Sequence, residues 1–325
     1  MIDFRYHLVS IVAIFLALSV GIVLGTTLLK DPAIHLAEAS VENVTKNNAE
    51  LRAEIDVLTR REGGNDAFIA NMTPDLAKVG GGLTGKRVVL VEAPGASTAL
   101  TDQQQQVLEQ AGAVVSGRVV LTEKFVAPAS AGVLDQLVTQ LKPAELNFAA
   151  NAGVHDKAAQ LLAAAVVTKD PAQAGTPDPD TAAVLGALET GGFLTVRDEP
   201  AKRATLAVLI APERPFEGEQ AEAQADEIVA LAGGLDAGGQ GSVMAGTEGA
   251  IGPGGAITAL RESSELAKRV STVDVLDMPM GRVTVVYALR EQLDGRAGQY
   301  GVLSGATQPQ PPVAAPTPSS TSSGS

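Results

Sequence analysis

Cysteine and tryptophan are absent from the chain, and histidine occurs only three times in 325 residues. Without cysteine there is no disulfide, no thiolate nucleophile and no Cys-ligated zinc or iron–sulfur centre. The absence leaves the compartment open, because exported proteins can also lack cysteine. His7, His35 and His155 fall in the leader, in a heptad stretch and in an expected helix. Nothing in their spacing assembles a catalytic triad or a zinc site. Aromatic residues make up 3%, so the core must rest on Val, Leu, Ile and Ala. Lys and Arg number 24 against 37 Asp and Glu, a net charge of −13. An acidic chain without a basic stripe argues against nucleic acid as a partner. G-x-G-x-x-G, G-x-x-x-x-G-K-[ST] and G-x-S-x-G are all missing, which removes the usual phosphate cradles and the nucleophile elbow. No enzymatic activity, catalytic residue or cofactor is expected.

What is present is concentrated first at the N-terminus. Leu8 to Leu29 is a run of 22 residues without a charge, and a membrane's hydrocarbon core needs about 20 in a helix. A cleaved signal peptide has a shorter apolar core, of about 7–15 residues, and a nearby small-x-small site. The only later candidate, Ala37-Glu38-Ala39, lies beyond Lys30, Asp31 and Pro32. A buried soluble helix is rarely apolar all round for so long. The run therefore reads as an uncleaved, single-pass signal anchor. Arg5 in the leader sets the N-terminus on the cytoplasmic side and the bulk of the chain outside the cytoplasm. Ala13, Ala17, Gly21 and Gly25 recur every four residues. Such a ridge suits close helix pairing in lipid, although small residues are also common throughout this chain.

Asp31-Pro32 has the form of a helix start. After it, Ile34, Ala37, Val41, Val44, Asn48, Leu51, Ile55 and Leu58 are spaced alternately three and four apart. That is an a/d heptad pattern with Asn48 at an a position, where a buried Asn pair selects a register and a dimer. The expected dimerisation residues are Gly21, Gly25, Val41, Val44, Asn48, Leu51, Ile55 and Leu58, in a parallel homodimer. The competing reading is an amphipathic helix folded onto its own domain. Gly63-Gly64-Asn65 is the expected end of this helix.

From Lys86 the pattern changes to buried strands alternating with helices. Strands are expected at KRVVLVEA, Ala113–Leu121, Ala204–Ala211, Ser242–Ala245 and Ser271–Leu276. Helices are expected at Thr101–Gln110, Asp135–Leu141, His155–Val166, Thr181–Leu188, Glu219–Leu231, Ala256–Glu262 and Met280–Leu293. The fold class is α/β: a single N-terminal transmembrane helix, a coiled-coil stalk, then a mostly parallel sheet with helices on both faces. The expected organisation is an anchor over 1–30, a parallel coiled coil over 31–64, an α/β extracytoplasmic domain over 65–304 and a disordered Pro/Ser/Thr-rich tail over 305–325. The glycine-rich stretch Gly233–Gly255 reads as a flexible connection, with a ligand loop as the alternative.

Soft-metal chemistry has one candidate. Met278-Pro279-Met280 is the only close pair of thioethers, the donor type that copper(I) prefers. Methionine is also a routine core filler, so a packing role competes. Arg282 and Arg290, on the helix that follows, read as surface or salt-bridge residues.

The start MIDFRYHLVSIVAIFLALSVGIVLGTTLL, the heptad stretch, GKRVVLVEAPGA and the ending DMPMGRVTVVYALREQLDGRAGQYG resemble the actinobacterial copper-transporter family of MctB type. The similarity runs over most of residues 1–303. The resemblance implies a cell-envelope protein of mycolic-acid-type actinobacteria that limits intracellular copper. The family has also been linked to a SteB-like envelope protein that regulates cell separation, with a SteA-like membrane partner and a peptidoglycan hydrolase. No metal-ligand motif comes with the resemblance. A channel needs several spanning helices or a closed barrel. This sequence offers one spanning helix, and its strands are interleaved with helices rather than arranged as barrel segments. Two functions are therefore expected to compete: copper homeostasis or efflux at the envelope, and a dimeric coiled-coil scaffold that recruits or regulates a cell-separation hydrolase. A ligand-binding α/β domain is a third.

Overall fold

A computed structural model describes residues 4–28, 30–79 and 82–312. The chain divides into two compact units, residues 1–65 and 66–325.

In the first unit, α1 (Phe4–Leu28) is the single helix among the described residues that is long and apolar enough to cross a membrane. Two of its hydroxyls are satisfied within the helix. Ser19 donates to the Phe15 carbonyl at 2.8 Å and Thr26 to the Ile22 carbonyl at 2.9 Å. Neither hydroxyl would need water in lipid. Then comes α2 (Lys30–Leu76), 47 residues long.

The helix does not end at Gly63-Gly64-Asn65, and this corrects the sequence expectation. Each glycine costs about 1 kcal/mol in a helix interior. The turns that follow repay that cost by packing. Thr73 and Ala77 are buried in the second unit, and Leu76 packs against its core. Pro74, which lacks an N–H, lies just before the last helical residues.

The second unit is a seven-stranded mixed sheet in the order β3-β2-β1-β4-β5-β6-β7. Its strands are β1 (Arg87–Glu92), β2 (Val114–Leu121), β3 (Leu194–Asp198), β4 (Leu206–Ile210), β5 (Ser242–Ala245), β6 (Ser271–Val273) and β7 (Gln299–Tyr300). Every neighbouring pair is parallel except β2 with β3. The helices are α3 (Thr98–Gln110), α4 (Ala131–Leu141), α5 (Val154–Val166), α6 (Pro179–Thr190), α7 (Ala221–Gly238), α8 (Ala256–Glu262) and α9 (Pro279–Leu293).

Strands β1 and β4 are apolar runs because both of their faces are covered. Successive residues alternate between the two layers. Val89, Val91, Ala207 and Leu209 join a core with α4 to α8. Val88, Leu90, Leu206 and Val208 join a second core with α3 and α9.

Four local readings change. Helix α3 begins at Thr98 with Ser97 as its cap. Thr101 is therefore not the opening of a capping box. It is buried inside the helix, its hydroxyl donating back to the Ser97 carbonyl at 2.9 Å. Strands β3 and β7 were not foreseen, since one alternates polar residues and the other spans two. Part of the glycine-rich stretch is built into elements rather than left as a flexible connection. Gly233, Gly234 and Gly238 belong to α7. A Cβ at Gly234 would lie 2.9 Å from the backbone of Ala159. Gly234, and Gly238 against Ala163, thus let α7 cross close over α5. Past Ser304 the backbone is still held: Thr307 donates to the Gln299 carbonyl at 2.8 Å and Gly301 to that of Gln308 at 3.0 Å. The remainder of the expected tail, 313–325, lies outside the described residues.

Candidate functional site

In a parallel sheet, ligands favour the carboxyl ends of strands where the chain reverses its direction of spread. Here that point lies between β1 and β4. The two loops there are bonded to each other: Glu213 N–H donates to the Gly95 carbonyl at 3.0 Å, and Ala93 N–H to Ile210 at 2.9 Å. Beside them is a buried polar network. Glu92, 1% exposed, accepts from the Thr98 hydroxyl at 3.2 Å and lies 3.2 Å from Arg118. Arg118 also donates to Asp102 at 2.7 Å and to Gln105 at 3.0 Å. Each charge is spoken for inside the network, so it ties α3 to β1 and β2. Reading the sequence alone missed it, although a Glu ending an otherwise apolar strand was the available signal.

Met278 and Met280 sit at the same edge of the sheet, after β6. Met278 caps α9, and Pro279 occupies the first turn. Gly281 follows because a Cβ there would collide with the Val275 carbonyl. Both methionines are half-buried, and Met278 packs against the second core. Arg282 donates to the carbonyls of Leu276 at 3.0 Å and Asp277 at 2.8 Å. Burial lowers its pKa, opposed by the charges of Asp277 and Asp66. It is a pin for the β6–α9 loop rather than a surface residue. Among the described residues no three His, Asp or Glu side chains gather to hold a metal ion.

The expected dimerisation residues lie on α1 and α2. Val41, Val44, Leu51, Ile55 and Leu58 are 53–66% exposed, and Asn48 is exposed with them. The side chains of Ile34 and Ala37 lie outside the described residues. A Cβ at Gly21 or Gly25 would meet no other atom within 4 Å.

His155 sits in the first turn of α5, at the second unit's first core. Its Nε2 lies 3.0 Å from the Phe125 carbonyl and its Nδ1 lies 3.1 Å from Glu227 of α7. Burial lowers the histidine pKa, while the Phe125 carbonyl and Asp156 oppose that shift. Burial raises Glu227 to about 7. A cleft of about 550 Å³ nearby is lined by residues such as Asp156, Ala164, Ala230, Gly233 and Arg269. None of the buried side-chain atoms left without a hydrogen bond belongs to a residue lining it.

Comparison with known families is decisive where geometry is not. The description "Copper transport outer membrane protein, MctB" matches residues 1–311. The chain belongs to the MctB family. Copper transporter MctB of Mycobacterium tuberculosis (strain ATCC 25618 / H37Rv) is 28% identical over 310 residues, covering 94% of this chain and 98% of that protein. Copper transporter MctB of Mycobacterium leprae (strain TN) is 28% identical over 326 residues, with the same coverage. The MctB name describes copper transport at the envelope, not a chemical reaction. With no cysteine in this MctB-family chain, thioethers are its softest donors. The sequence reading singled out Met278 and Met280 but passed over Met72. That residue lies in the stretch of α2 beyond Gly63-Gly64, where the helix was expected to have ended.

Proposed function

We propose that this chain is a membrane-anchored envelope protein that limits intracellular copper, acting as a parallel homodimer. The observation that carries the copper reading is the family match, which takes in nearly the whole chain. Helix α1 supports anchoring, with the N-terminus cytoplasmic and the second unit outside the cytoplasm. In a dimer two α1 helices packed by small residues enclose no pore, so the chain serves copper efflux as a component and not as the conduit itself. A strain lacking the chain should stop growing at a lower copper concentration than its parent, and unchanged tolerance would sink the reading. Orientation is checked with an impermeant thiol reagent, which should label Ser304→Cys but not Asp3→Cys in intact cells.

A second reading rests on a separate observation, the uncovered apolar seam of α2. In it the dimer is a scaffold that recruits or regulates a cell-separation peptidoglycan hydrolase with a SteA-like partner. Affinity capture of the full chain from envelope extracts tests it. Loss of a hydrolase from the capture on Leu51→Asp/Ile55→Asp substitution would favour the scaffold.

A further inference from the structure

The softest donors in this chain are five methionine thioethers. Met1 lies outside the described residues. Met244 is fully buried in β5, inside the first core. The remaining three, Met72, Met278 and Met280, all belong to two neighbouring pieces of the second unit: the last turns of α2 and the start of α9.

Those pieces are tied together side by side. Tyr287 of α9 donates its hydroxyl to the Leu76 carbonyl at 2.9 Å, and Arg290 donates to the Val79 carbonyl at 2.6 Å. Ascending residue numbers on one piece therefore meet ascending numbers on the other, and the two run in the same direction. Met72 stands one turn before Leu76 and on the same face of its helix. Met280 stands two turns before Tyr287, again on the same face. That places both thioethers along the facing sides of the contact, with Met278 one residue outside the first turn of α9. Met72 is 38% exposed, and Met278 and Met280 are half-buried. Unlike Met244, they can be reached from water.

We propose that Met72, Met278 and Met280 form a thioether site for a copper(I) ion at the junction of α2 and α9. The proposal rests on the copper reading above and names the donors that would serve it. Three uncharged thioethers favour a soft monovalent ion over zinc(II), whose sulfur ligands are charged thiolates, and over copper(II), which favours nitrogen and oxygen. Asp66 and Asp277 add negative charge nearby, and Arg282 offsets part of it. Unbranched, flexible methionine side chains can close on an ion without moving the helices. Binding involves no change in oxidation state and no bond other than metal–sulfur.

The test is anaerobic titration of the full chain in detergent micelles with copper(I), using bicinchoninate as competitor, together with X-ray absorption at the copper edge. The wild type should bind one copper(I) with sulfur neighbours. Met72→Leu and Met280→Leu should each weaken binding at least tenfold, while Met244→Leu should leave it unchanged. Circular dichroism confirms that each variant is folded. Because Met72 is partly exposed, its variant keeps the test usable even if Met280→Leu fails to fold. Wild-type affinity in Met72→Leu, or copper without sulfur neighbours, overturns the site. If the wild type binds no copper(I) but the deletion strain is copper-sensitive, the site is wrong and the copper reading stands. If binding is as expected but the strain tolerates copper normally, the reading falls and the site survives.

Discussion

Nδ1 of His155 and Oε1 of Glu227 lie 3.1 Å apart, and that contact needs a proton. The Phe125 carbonyl can only accept, so Nε2 of His155 carries hydrogen. Nδ1 of a neutral ring then has a lone pair facing the carboxyl group. One proton must lie between them, on either partner. Glu227 is raised to about 7, so the folded chain holds this proton more firmly than an unfolded glutamate does. The stability it contributes is full below the ordinary glutamate range and is lost as pH rises through about 7. The lowered His155 works in the opposite sense, but only below its ordinary value of 6.5. Above that only the glutamate matters. Stability should therefore fall between pH 6.5 and 8 by on the order of 1 kcal/mol. Asp156, Lys157 and Asp135 lie on the neighbouring surfaces and do not share this proton. In Glu227→Gln the amide donates permanently, and the urea midpoint should no longer drop over that interval. An identical drop in the variant would show that the pair is not responsible.

The C-terminal end of the sheet depends on another pair. Arg261 of α8 donates to Asp274 at 2.9 Å, to the Tyr300 carbonyl at 3.0 Å and to the Ser304 carbonyl at 2.8 Å. Asp274 is fully buried and also accepts from Val302 N–H at 3.0 Å. Arg261→Leu leaves that carboxylate buried without its cation, at a cost of about 3–5 kcal/mol. Urea unfolding measures it. A loss below about 1 kcal/mol would mean that water replaces the arginine freely.

The seam on α2 makes a geometric prediction. The chain has no cysteine, so single cysteines report on proximity without background. In a parallel dimer the two Asn48 positions face each other across the axis, within the reach of a disulfide. Asn48→Cys should cross-link into dimers under mild oxidation. Lys46→Cys, on the outer face of the same helix, should not. Adding Leu51→Asp and Ile55→Asp should abolish the cross-link, because like charges would enter an apolar seam. Equal cross-linking at 46 and 48 would rule out this register.

Much of this architecture was legible from periodicity. Strands β1, β2, β4 and β5 stood out because burial on both faces demands unbroken apolar runs, and α5 to α9 because the segments between those runs carry helix-forming residues. What was not legible depends on contacts distant in sequence. The continuation of α2 past Gly63-Gly64 follows from Thr73 and Ala77 finding a core. The place of Gly234 inside α7 follows from Ala159 leaving room only for glycine. Of the candidate site, Met278 and Met280 were visible as a pair. Met72 was not, because 206 residues separate it from Met278 and only the bonds from Tyr287 and Arg290 to the end of α2 reveal the neighbourhood.

If this member of the MctB family limits intracellular copper, as proposed, cellular copper itself must respond to its loss. Copper per cell, determined by inductively coupled plasma mass spectrometry after growth at sub-inhibitory copper, should rise several-fold when the chain is deleted. Re-expressing the full chain should return it to the parental level, and a form lacking residues 1–30 should not. Copper that is the same in deleted and parental cells would contradict the account.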